Sequence, residues 1–319
     1  QTERSEKMNK EIHKTSIGGQ AVIEGVMMRG PKEIAVAVRK SDGEIVVDKQ
    51  PVASVIQKYK FLKLPVIRGV VSFIESMVVG IKTLMFSAEL YDTEEDDPTY
   101  KPSKFDLWLE KVFGNKDVLV YTSLVISLVL AMGLFVLLPA LITKYSTFFI
   151  SNNVVKSLIE GVVRMGIFIL YIFLVSRTKE MQRVFQYHGA EHKSIACYEH
   201  GEELTVENVR KYTRFHPRCG TSFLIEVMII SVIVFSFLSW DNIFVRILTK
   251  LALMPVVAGL AYEVIKLAGR YDNKIMGIVN KPGLWLQRLT TREPDDSQLE
   301  VAIRSLTEVL TGNREDDKW

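Results

Sequence analysis

Two cysteines, Cys197 and Cys219, and five histidines are the whole stock of thiols and imidazoles in this 319-residue chain. Two thiols cannot build a disulfide framework, which excludes a small secreted fold stapled by bridges. Net charge is scarce as well. Forty Lys and Arg against 37 Asp and Glu leave +3, too little to argue for a nucleic-acid partner. No apolar run stands close to the first residue, so no signal peptide is read there. Internal repeats and low-complexity tracts are missing too, which excludes solenoids and biased linkers.

What the chain has instead is 48% hydrophobic residues beside 24% charged ones, and such a mixture must be segregated along the sequence. Residues 118–142 form a run of 25 without one charge, enough to cross a hydrocarbon core of about 30 Å. Three further runs are less pure. Residues 154–176 carry Glu160 and Arg164, residues 223–240 carry Glu226, and residues 243–267 carry Arg246, Lys250, Glu263 and Lys266. Intramembrane charges need a partner, a cavity or an interface, and Glu160 with Arg164 stands at the i,i+4 spacing of a helix-face pair. Residues 240–242 are too few for anything but a tight turn, which makes the last two helices a hairpin.

The basic residues set the orientation. The loop 177–222 holds eight Lys and Arg, and more follow residue 267. The loop 143–153 has only Lys144. Four crossings with both termini in the cytosol satisfy every loop. A fifth apolar stretch, 65–90, carries Arg68, Glu75 and Lys82 at seven-residue spacing, hence on one stripe. A crossing there would move the most basic loop outside, so an amphipathic interfacial helix is expected.

The expected fold is therefore a mainly α membrane protein with four transmembrane helices and a small β-rich domain. A cytosolic N-terminal part (1–64) precedes the interfacial helix and an acidic linker (65–117). The membrane domain (118–270) carries the cytosolic loop 177–222, and a cytosolic helical segment (271–319) closes the chain. In the first part Ile34, Val36 and Val38 alternate with Ala35, Ala37 and Arg39, a strand pattern. Ser41-Asp42-Gly43 turns the chain into a second strand at 44–48, and 20–28 adds another. The linker is acidic at 94–97. Near the end, Leu299, Ile303, Leu306 and Leu310 mark one face of a helix over 296–310.

Chemistry concentrates in 187–221, which holds four of the five histidines and both cysteines. His188-Gly189-Ala190-Glu191-His192 has H-x-x-E-H spacing. On a helix the two imidazoles share one face and can hold one metal, with Glu191 beside them as the catalytic group that activates water. Cys197 falls about 180° round from His188 and is expected to be a reduced thiol apart from the site. His200, before Gly201, is expected at a helix C-terminus. Further ligands must come from elsewhere, and His216, Cys219 and Glu263 are the candidates, with Glu226 a polar group level with them. Zinc is the expected ion. A packed cap of histidines bonded to carboxylates, without metal, is the competing arrangement.

Four long motifs carry a resemblance. Residues 18–31 (GGQAVIEGVMMRGP), 187–193 (YHGAEHK), 216–222 (HPRCGTS) and 291–296 (TREPDD) resemble the YqhQ-like family. The similarity runs from about Ile17 to Leu310. It implies a multi-pass bacterial membrane protein with relatives in plants, and a predicted metal-dependent enzyme with its site around His188, Glu191 and His192. It also singles out Glu24 and Arg29 as polar groups that can reach that site.

Three functions compete. A membrane-bound zinc hydrolase would act at the cytosolic face of the cell membrane on a lipid, peptide or phosphorylated molecule. A non-catalytic scaffold would use the site structurally and recruit partners or form homo-oligomers. A transporter would string Glu160, Arg164, Arg246 and Lys250 along a pathway. The sequence names no substrate beyond contact with the bilayer.

Overall fold

The computed structural model describes residues 12–91, 116–146, 148–238, 242–270 and 274–318. The acidic linker lies outside them, as do Trp240 and Asp241 of the expected turn. The chain is mainly helical, with one small antiparallel sheet near its start.

Four strands run in sequence order: β1 (Gly18–Val22), β2 (Gly25–Arg29), β3 (Glu33–Arg39) and β4 (Ile45–Pro51). The stretch 20–28, expected as one strand, is a hairpin folded at Ile23-Glu24. Its register pairs Val22 with Gly25. Glu24 takes φ +49°, an uncommon conformation for a residue with a side chain.

Helices follow: α1 (Ile67–Leu90), α2 (Lys116–Met132), α3 (Leu138–Ser146), α4 (Asn153–Val175), α5 (Lys179–Glu199) and α6 (Val206–Arg210). Then come α7 (Gly220–Phe235), α8 (Ile243–Arg270), α9 (Lys274–Thr290) and α10 (Asp296–Val309). A π-helical turn, Gly133–Leu137, joins α2 to α3.

The chain divides into two compact units. In the first (1–91, 172–227 and 258–319) the strand alternation puts apolar side chains on both faces of the sheet. Val26, Met28, Ala35 and Ala37 pack against Tyr187, Ala190 and Ile195 of α5 and Leu299, Ala302 and Leu306 of α10. The other face, Val22, Met27, Ile34, Val36 and Val38, is covered by Val79, Phe86 and Leu90 of α1. Asp295 starts α10 with a capping box shared with Gln298.

In the second unit (92–171 and 228–257) Glu160 is 2% exposed and accepts from Arg164, Arg246 and Lys250, themselves buried. The intrahelical pair expected at Glu160–Arg164 is thus part of a larger cluster. Arg164 also donates to Ser231 Oγ (3.0 Å) and to the Phe135 carbonyl (3.1 Å). That carbonyl lies in the π turn, where the helical ladder is interrupted and an oxygen becomes available.

Among the described residues, four helical stretches are long and apolar enough to cross a membrane: Ile67–Leu90, Thr122–Tyr145, Asn153–Val175 and Phe244–Leu267. The count is the expected one but the set is not. α1, expected at an interface, meets the length criterion, whereas α7 is apolar but has only 16 residues. Two of the three stripe charges of α1 are met within its own unit. Arg68 pairs with Glu263, and Glu75 accepts from Ser54 Oγ and the Val55 N–H.

Candidate metal centre

Thr178 caps α5 by accepting from the Met181 N–H, and the helix then runs buried between the sheet and α10. Gly189 is where the chain at 292 comes closest. A Cβ there would stand 2.1 Å from the Arg292 carbonyl oxygen. This near contact sits one residue from His188, whose Nδ1 bonds the Thr290 carbonyl at 2.8 Å. One turn on, His192 Nδ1 bonds the Arg214 carbonyl at 2.6 Å.

A carbonyl oxygen can only accept, so each imidazole donates from Nδ1 and leaves Nε2 to face the cavity side of α5. His188 Nε2 lies 3.1 Å from Cys219 Sγ. His192 Nε2 is buried with no hydrogen-bond partner, an expensive state for a polar atom. The rings are 4.4 Å apart between centroids. One donor atom from each of His188, His192 and Cys219 falls within 4.8 Å of the others.

Cys219 immediately precedes α7, and the Thr221 N–H points to its sulfur at 3.4 Å. Burial alone would raise this thiol, but the two imidazoles hold it well below the usual cysteine value. Burial would likewise lower His188, yet the adjacent sulfur raises it to about 9. Glu191 is 5% exposed, and its side chain lies close against Gly19. Burial pushes that carboxyl up against the pull of both histidines. Glu191, His192 and Cys219 open on a cavity of about 270 Å³ that also takes in Arg29, Gln20 and Arg218.

The remaining candidates are placed apart from the three donors. His216 turns Nε2 toward Glu199 at 3.5 Å, although its ring is 5.6 Å from that of His192. Glu199 in turn binds Arg218 and the Thr15 N–H, so this carboxylate organises the loop rather than the donor group. Glu263 is held by Arg68. Glu226 is buried, and its Oε2 has no hydrogen-bond partner. Glu24 reaches α5 at Arg183 and Tyr187, while Arg29 lines the cavity itself. Cys197 is a free buried thiol that burial pushes up to about 11, and His200 caps α5. The groups that sequence reasoning missed are the Thr290 and Arg214 carbonyls. Main-chain atoms leave no mark in a residue pattern.

A family model described as "Protein of unknown function (DUF1385)" matches residues 64–312. Uncharacterized protein YqhQ of Bacillus subtilis (strain 168) is 37% identical over 310 residues, which is 95% of each chain. No solved structure matches.

Proposed function

The chain belongs to the DUF1385 family, whose description names no activity, and from the geometry of its site we propose a membrane-bound, metal-dependent hydrolase working at the cytosolic face. The observation that carries this reading is the pair of histidines, each tied at Nδ1 to a main-chain carbonyl and each presenting Nε2 toward one thiolate. One of those nitrogens is buried without a partner, a state that a bound cation relieves.

Two imidazoles and a thiolate suit zinc, a borderline-soft ion. Three protein donors leave a fourth position for water or substrate, as in catalytic rather than structural sites. When bound, the ion acts as a Lewis acid that polarises an acyl or phosphoryl oxygen and acidifies water. His188, His192 and Cys219 would hold it. Glu191, raised by burial and packed close to Gly19, is positioned to take and return a proton beside it. Arg29, Gln20 and Arg218 line the space where a substrate's polar end would sit.

Elemental analysis of the full chain purified from membranes tests this. We expect about one zinc per chain, lost in His188→Ala, His192→Ala and Cys219→Ser and kept in Glu191→Gln. Protein that refolds and behaves normally yet never holds stoichiometric metal sinks the proposal. A second reading draws on the 3.1 Å contact between His188 and Cys219, the geometry of an imidazole-activated nucleophile. It requires metal-free protein whose Cys219 is alkylated rapidly by iodoacetamide at pH 6.

A further inference from the structure

α1 is inside out for a helix in water. Its buried residues are small, Gly69, Gly80, Thr83 and Ser87, while Phe73, Ile74, Met77, Val78, Ile81 and Leu84 are exposed. Small residues permit close approach to the rest of the unit. A Cβ on Gly69 would meet Gly259 of α8, and one on Gly80 would meet the Gln20 side chain.

This face carries a groove of about 620 Å³, within the range of small-molecule sites. Phe73, Met77, Ile81 and Leu84 of α1 form one wall, and Phe223 and Leu224 of α7 form another. Phe73 and Phe223 meet as tilted rings at a centroid distance of 5.7 Å. The groove does not end blindly. Gln20, Ser76, Arg218, Cys219 and Gly220 line both it and the smaller cavity that holds Glu191 and His192.

We propose that this groove holds an acyl chain of a glycerophospholipid and leads the lipid's polar end to the Cys219 cavity. The walls and the polarity choose the occupant. A peptide would need partners for its backbone along its whole length, and here the polar lining gathers at the end shared with the cavity. An acyl chain needs none, and its headgroup and ester linkages are polar where the groove becomes polar. The mouth opens among exposed Met and Leu side chains, a surface that suits contact with bilayer lipid. Calling the lipid a substrate rests on the metal-enzyme reading, whereas occupancy of the groove does not.

The test uses the full chain in detergent with phosphatidylglycerol carrying a diazirine at the end of one acyl chain. Irradiation and peptide mass spectrometry are expected to place adducts on α1 and the start of α7. Ser72→Trp, which fills the groove, should cut those adducts at least tenfold at unchanged zinc content. In the unaltered protein, excess unlabelled phosphatidylglycerol should compete and glycerol phosphate should not. Adducts spread evenly over α2 and α4 and indifferent to the tryptophan, or competition by glycerol phosphate alone, would overturn the proposal. Zinc is counted on the same samples. Metal without groove adducts removes only the lipid inference, and groove adducts without metal remove only the hydrolase.

Discussion

A carboxylate that stays ionised among apolar helices needs its charge matched, and Glu160 is matched by Arg164, Arg246 and Lys250. Removing the acid would leave three cations facing one another in a low-dielectric setting, a loss of about 3–5 kcal/mol. Glu160→Gln should therefore lower the thermal midpoint in detergent sharply, and a variant as stable as the parent would contradict this account. Asp295 makes a different prediction. Burial would raise its carboxyl, but hydrogen bonds from Ser297 and the Gln298 N–H hold it below the ordinary aspartate value. Its ionised form therefore favours folding above about pH 3.9, and that support is lost as pH falls through the depressed folded value. Asp295→Ala should cost about 1 kcal/mol at neutral pH. Asp295→Asn should keep the cap and flatten the acid limb of the unfolding curve, and an Asn variant with an unaltered limb would refute the assignment. Residue patterns made some of these partnerships legible. The i,i+4 spacing gave Glu160 its Arg164, and H-x-x-E-H put His188 and His192 on one face. The pairing of Arg68 with Glu263 joins residues 195 positions apart, and no periodicity reports such a contact.

Helix α5 shows how a residue preference reverses when packing is included. Replacing a mid-helix glycine by alanine ordinarily stabilises by about 1 kcal/mol. At Gly189 the added methyl would stand 2.1 Å from a main-chain oxygen, which cannot swing aside as a side chain could. Gly189→Ala should therefore destabilise by about 1–3 kcal/mol and, through the neighbouring Thr290–His188 bond, weaken zinc retention. A stabilised variant in urea unfolding would show that the 292 segment yields freely. The same element explains why the fold was only partly legible. Alternation in β3 and the apolar stripe of α10 are local patterns, and both elements formed where expected. The hairpin at Ile23-Glu24 was hidden because only two residues separate its short apolar strands, and its Glu24 is fixed by Arg183 and Tyr187 far along the chain. α1 was read as amphipathic from three charges, yet its two faces differ chiefly in residue size.

Strand–helix packing also constrains how the chain can thread a membrane. The sheet packs against α5 and α10 within one unit, so all three must lie on the same side of any bilayer. Between residue 51 and residue 179, and again between residues 199 and 296, the number of crossings must then be even. We propose that the stretch Thr122–Tyr145 and α4 supply the first pair, and α7 with α8 the second. α1 cannot be added as a fifth crossing, because three crossings before α5 would strand it opposite the sheet that it packs on. Its last turns, with Phe86 and Leu90, cover that sheet directly, which fits an interfacial helix with its large apolar side chains turned toward lipid. At 16 residues α7 spans about 24 Å, short for a crossing but accommodated by local thinning of the bilayer. Single cysteines introduced into a background lacking Cys197 and Cys219 test this directly. Position 149, 94% exposed between α3 and α4, should react with a membrane-impermeant maleimide in intact cells. Position 43 in the β3–β4 turn and position 312 after α10 should react only once the membrane is permeabilised. Labelling of 43 and 149 from the same side would break the proposed four-crossing topology, and with it the proposed placement of Cys219 at the cytosolic membrane edge.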